Sequence, residues 1–93
     1  MVSQKYLDKI RFTVRRNANE RVDEELTTMI EQCRADLIRI GVHPSVAEDE
    51  ENKLVLGCQR AFVRWQYEQG PYEEYALQAD SLRKSKEGRG YDE

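Results

Sequence analysis

The chain has one histidine, two cysteines, two prolines and five glycines in 93 residues, and each shortage excludes something. A nucleophilic Cys–His pair would need His43 beside Cys33 or Cys58, but both thiols fall on apolar helical stripes that point to a core. His43 lies 10 residues from one cysteine and 15 from the other, which offers three soft ligands at most and no CxxC pair of the structural zinc kind. Gly57 and Gly70 are isolated, so no phosphate-cradling loop is formed. No carboxylate stands inside an apolar stripe, where burial would raise its pKa for acid–base work. Catalytic residues, metals and cofactors are therefore not expected. No apolar run approaches the roughly 20 residues of a membrane span, and a signal-peptide pattern is missing, so no membrane partner is expected. Two unpaired cysteines on core stripes read as reduced thiols in a reducing compartment. A net charge of −3 argues against sequence-independent binding of nucleic acid over a broad surface.

What the chain does have is helical periodicity. From Val22 to Val42, apolar residues recur at Val22, Leu26, Met29, Ile30, Cys33, Leu37 and Ile40, steps of three and four that draw one stripe along a helix. The opposite face carries Glu24, Glu25, Thr28, Glu31, Gln32, Arg34 and Arg39. Acids at the start and bases near the end suit the helix dipole. Gly41 supplies a left-handed residue to end the helix, and Val42 can fold back on Leu37 as in a Schellman close. A helix with one apolar face must bury it, and the remaining chain supplies three further segments to do so. Ser3 caps a first helix to about Arg15, with Tyr6, Leu7, Ile10 and Val14 as its stripe, although Phe12, Thr13 and Val14 are β-prone and allow an extended exit. Asn17 or Asn19 turns the chain into the long helix. Pro44 holds His43 extended, and Glu48, Asp49, Glu50 and Glu51 read as the solvated start of a third helix, about Asp49 to Gln69. Its stripe is Leu54, Cys58, Ala61, Phe62 and Trp65, and Gly70 with Pro71 stops it. A fourth helix runs from Pro71 to about Lys84 with Tyr72, Tyr75, Ala76, Ala79 and Leu82 on one side. The expected architecture is all-α: a small antiparallel bundle of three to four helices over residues 1–85, with a flexible tail at 86–93.

A DNA-reading helix-turn-helix fits poorly. The connection after Gly41 is longer than the motif's turn, and the acidic run would repel phosphates where a recognition helix enters the groove.

DEELTTMIEQCRADLIRIGV resembles the signature helix of the tailed-bacteriophage head–tail connector proteins, also called adaptor or DNA-packaging proteins. The similarity lies in its acidic start, its Ile and Leu stripe, the Ala35-Asp36-Leu37 step and the Gly41-Val42 close. It continues through the short acidic linker, through LVLGCQRAFVRWQYEQG, then PYEEYALQADSLRKSK, and ends on Gly90-Tyr91. The set covers about residues 4 to 91. The resemblance implies an all-α virion subunit of the head–tail junction, assembled in the bacterial host cytoplasm. It forms a ring, usually of twelve copies, that sits below the portal protein, extends the DNA channel and offers its far face to a stopper or tail-completion protein. By position it implies Arg83, Lys84, Arg89 and Tyr91 as portal-facing residues. Twelve copies at −3 each give a ring of about −36, and an acidic wall repels DNA and lets it slide without sequence-specific binding. Glu48, Asp49, Glu50 and Glu51 are the expected channel-lining residues. The competing expectation is a small cytosolic helical module that binds a partner or regulates it through one helix groove.

Overall fold

Helix caps set the boundaries of this chain. The computed structural model describes residues 2–15 and 19–90. It contains α1 (Gln4–Thr13), α2 (Glu20–Arg39), α3 (Pro44–Ala47), α4 (Lys53–Glu68) and α5 (Tyr72–Lys84), followed by a 3-10 turn at Glu87–Arg89. The described residues contain no strand, so the β-prone Phe12 and Thr13 stay helical. Ser3 Oγ accepts from the Tyr6 N–H, and Asn19 Oδ1 accepts from the Val22 N–H, each filling a donor that a helix start leaves open. At the far end of α2, Gly41 takes φ +113°. The Val42 N–H donates to Leu37 O at 2.9 Å and the Gly41 N–H to Ile38 O at 3.1 Å, the paired bonds of a Schellman close.

Three expectations shift in the structure. The acidic run does not start a helix. Pro44–Ala47 forms a short helix capped by His43, whose Nδ1 accepts from the Ser45 N–H. Asn52 Oδ1 then takes both the Leu54 and Val55 N–H groups, so α4 begins only at Lys53. Residues 48–51 fall in the turn between the two. The buried arc of α4 also differs from the expected stripe, because the helix packs on both clusters: Val55, Gln59 and Val63 are buried with Cys58, Ala61 and Phe62, while Leu54 is 51% exposed. Helix α4 ends on a left-handed Gln69 (φ 56°) rather than on Gly70, whose N–H donates to Arg64 O. Arg34, expected on the polar face of α2, is only 6% exposed, because Glu50 reaches it from 16 residues further along the chain.

The helices close around two apolar clusters. One joins Tyr6, Leu7, Ile10 and Val14 of α1 and its exit to Leu26 and Ile30 of α2 and Val63 of α4. The other joins Cys33 and Leu37 of α2, Val46 and Ala47 of α3, Val55, Cys58, Ala61 and Phe62 of α4, and Tyr75, Ala79 and Leu82 of α5. Helix α2, about 30 Å long at 1.5 Å per residue, runs through both. Helices α1 and α2 are antiparallel, with Arg11 bonded to Asp23 near one end and Arg34 over the Tyr6 ring near the other. Helices α4 and α5 are antiparallel too, since Phe62 meets Tyr75 and Trp65 meets Tyr72. A buried Gln59 donates to Ile30 O and ties α4 to α2. The Cα radius of gyration, 12.6 Å, matches the roughly 12 Å of a compact domain this size.

Residues 86–90, expected as flexible tail, lie against the fold. The His43 N–H donates to Gly88 O at 2.8 Å, and the Gly88 N–H donates to Ser85 Oγ at 3.0 Å. Gly88 passes so close to Leu82 that a Cβ there would stand 2.1 Å from its carbonyl oxygen; only glycine fits.

Candidate docking face

The face where α3, the start of α4 and the end of α5 meet combines exposed apolar surface with separated charge. Lys53, Leu54 and Gly57 of α4 and Leu77, Gln78, Ser81 and Leu82 of α5 line a groove of about 290 Å³ that runs out to Ser85. Leu77 is 72% exposed. It lies off the buried Tyr75–Ala79–Leu82 stripe of α5, and Leu54 lies off the buried Val55–Cys58–Phe62 arc of α4. Two large aliphatic side chains thus flank one concavity in contact with water, a pattern that marks interaction surfaces rather than cores.

The implied portal-facing residues do not line this groove, and Arg83 with Asp80 lies along a different depression of α5, beside Asp36, Arg39 and Tyr75. Arg83 and Lys84 both hold Asp80, at 2.5 and 3.0 Å. These bonds keep the Asp80 carboxyl below the ordinary carboxylate value. The stem of Arg83 lies over Gly41, 3.6 Å from where a Cβ would stand. Arg89 is exposed at the end of the 3-10 turn. Tyr91 lies outside the described residues.

The acidic set follows α3, on which the 3-10 turn packs, and its Glu50 and Glu51 share a shallow cleft with Ser3, Lys5 and Lys9 of α1. Glu48 caps the end of α3 and is exposed, Asp49 accepts from the Glu51 N–H, and Glu51 is exposed. Glu50 differs from its neighbours. Its carboxylate accepts from the Ser3 N–H at 3.0 Å, from the Ser3 hydroxyl, and from Arg34 Nη2 at 3.0 Å. Burial raises the Glu50 pKa, but the Ser3 bonds and the Arg34 guanidinium outweigh it and hold the carboxyl below its ordinary value.

A second polar focus lies on the other side of α5. Tyr75 donates to Asp36 Oδ2 at 2.6 Å, and Arg39 holds Asp36 Oδ1 at 2.7 Å. Burial raises the Asp36 pKa and these two bonds more than reverse it. Phe62, Trp65 and Tyr72 complete a cleft of about 340 Å³ with Gln32, Asp36 and Gln66. The rings pack edge to face at 4.6 and 5.5 Å, which fills the space between them and leaves no cage for a cation. Neither Leu77 nor the Asp36–Tyr75 pair was singled out from sequence; an apolar residue off its helix's stripe was the available signal for Leu77.

The two cysteines and the histidine have structural places. Both thiols are buried; burial raises the pKa of each, Cys58 to about 11, which disfavours the reactive thiolate. His43 is occupied as a helix cap. Among the described residues, no group of three or more His, Cys, Asp or Glu could hold a metal ion, and no helix is long and apolar enough to cross a membrane. Comparison with protein-family models, curated proteins and solved structures finds no match for this chain.

Proposed function

We propose that this chain is a structural, non-catalytic subunit of a tailed-phage head–tail connector. In this reading it is a small antiparallel helical bundle that forms a ring below the portal, with copies of itself as neighbours. The observation that carries the reading is the uncovered groove between α4 and α5, where Leu54 and Leu77 lie open. A subunit that docks another protein leaves such a surface exposed, and the order of sequence features from residues 4 to 91 supplies the kind of assembly. The groove, with Lys53 as its basic lining residue, is the portal contact, and Arg83, Lys84 and Arg89 are further contacts by position in the sequence. Of the acidic set, Glu48 and Glu51 face water and are the residues that line the channel, while Glu50 is engaged within the subunit.

Mixing the purified protein with portal rings from the same genome and imaging by electron microscopy tests this. The expected result is an added ring of density below the portal, lost in Leu77→Ser, whose fold is unchanged because Leu77 is exposed. Portal rings that stay bare with the wild-type protein overturn the reading. Glu48→Gln with Glu51→Gln slows DNA exit from assembled particles; unchanged ejection kinetics remove the channel role. The alternative, a partner-binding module working in the cell, is favoured by the aromatic cleft at Trp65 and Tyr72, and it leaves portals bare.

A further inference from the structure

Two exposed helix faces carry opposite charge. On α1, Lys5, Lys9 and Phe12 recur at steps of four and three and are all exposed. Phe12, at 83% exposure, is the most exposed large apolar side chain among the described residues. Asp8 shares this face but is turned to Arg11 and Gln4. Glu51 stands across a shallow cleft from Lys5 and Lys9 without an ion pair to either. On α2, Glu20, Glu24, Thr28, Glu31 and Ala35 form the outward stripe, all exposed. A shallow depression along its first turns is lined by Asn19, Glu20, Asp23, Glu24, Thr27 and Thr28. Between these two outward faces lies the α1–α2 interior of Leu7, Ile10, Leu26 and Ile30. Neither face is turned into that interior, and both are exposed to solvent.

We propose that copies of this chain join head to tail, the Lys5–Lys9–Phe12 face of one copy seated on the Glu24–Glu31 face of α2 in the next. A two-fold contact of either face with itself sets lysine against lysine or glutamate against glutamate, which is disfavoured. The head-to-tail contact sets opposite charges together. The charges also fix a register. With the helices antiparallel, Phe12 enters the depression beside Glu24 and Thr27, Lys9 falls between Glu24 and Glu31, and Lys5 reaches Glu31. Antiparallel is the orientation α1 and α2 already have inside one chain, where Arg11 meets Asp23 at the same height. Contacts at matching height within and between copies add little rise and little rotation per copy. That geometry builds a flat ring of many subunits rather than a steep filament. The inference deepens the ring reading above and rests on it for closure, but the contact itself needs no portal.

A charge-swap experiment without portal tests it. Sedimentation velocity of the wild-type protein is expected to show oligomers at low salt that shrink at high salt. Lys5→Glu with Lys9→Glu in one variant, and Glu24→Lys with Glu31→Lys in another, each place like charges at the contact. Each variant alone associates at least about tenfold more weakly, and mixing the two restores assembly, because each then presents the face the other needs. Circular dichroism melts that match wild type show that the exposed substitutions leave the fold intact. A wild-type protein that remains monomeric at all concentrations, variants that assemble as wild type does, or a mixture that stays apart overturns the proposal. Wild-type rings that ignore portals sink the connector reading and leave this one standing.

Discussion

The cluster beneath α1 and the cluster beneath α5 are closed by different means. Beneath α5, Phe62, Trp65, Tyr72 and Tyr75 interlock edge to face, and the chain is pinned on both sides, by the Schellman close at Gly41 and by Gly88 against His43. Beneath α1 the closure is ionic: Ser3, Arg34 and Glu50 at one end, and Arg11 with Asp8 and Asp23 at the other. A ten-residue helix does not hold itself together in water. Helix α1 therefore depends on charged groups for its place, and α5 depends on ring packing. The difference teaches which part answers to pH and salt.

The largest effect comes from cutting the α5-side cluster. Leu37→Ala, at a fully buried position, costs about 3–4 kcal/mol, a large share of the roughly 5–14 kcal/mol available to a chain this size. Urea denaturation reads it as a lower midpoint with unchanged slope. Ile10→Ala, equally buried, lowers the midpoint less, because α1 lets go before the rest; amide exchange in α1 then rises toward peptide rates while α4 and α5 stay protected. Equal midpoints and uniform exchange in the two variants erase the contrast.

The next effect sharpens it through pH. Glu50→Ala leaves the buried Arg34 without that carboxylate and costs about 2–3 kcal/mol. The folded Glu50 pKa is depressed, so its contribution is fully present above the unfolded value of about 4.3 and is lost as pH falls through and below it. The stability gap between wild type and Glu50→Ala, measured by urea midpoints, is therefore wide at pH 6 and narrows below about pH 4. A gap that is constant with pH removes the ionic account of the α1 closure. Asp36 is also depressed, but once protonated it still has Tyr75 beside it as a hydrogen-bond partner, so acid loosens the α5 side less.

The two smallest effects are a matched pair of helix ends. Gly41→Ala has room beside Arg83 but must hold φ near +113°, a cost of about 1–2 kcal/mol. Ser3→Ala removes the α1 cap and a Glu50 partner together, at about 1 kcal/mol. Melting temperatures order them, and a milder Gly41 substitution reverses the expected order.

The features legible in the sequence were those decided within one turn of chain. Ser3 as a cap, the α2 stripe, the Gly41–Val42 close and the stop near Gly70 all follow from neighbours three to five residues apart. The missed features depend on partners far along the chain. Arg34 reads as surface until Glu50 arrives to neutralise it. The start of α4 rests on Asn52 as its cap, and its buried face is set by two clusters at once, which puts Val55 inside and Leu54 outside. The docking groove depends on that placement and on α5 lying beside it, so it was hidden for the same reason. The stretch 86–90 read as loose because the bonds that hold it run through the Gly88 backbone, to the His43 N–H and the Ser85 hydroxyl, which composition does not encode.

The two cysteines share one cluster and the other cluster has none. Both thiols are sealed from solvent, so an alkylating reagent can reach them only when the α5 side breathes. The rate at which the native protein takes up label is then a clock for the opening of that cluster. The chain carries its own reporter for one half of its fold, with no probe to install.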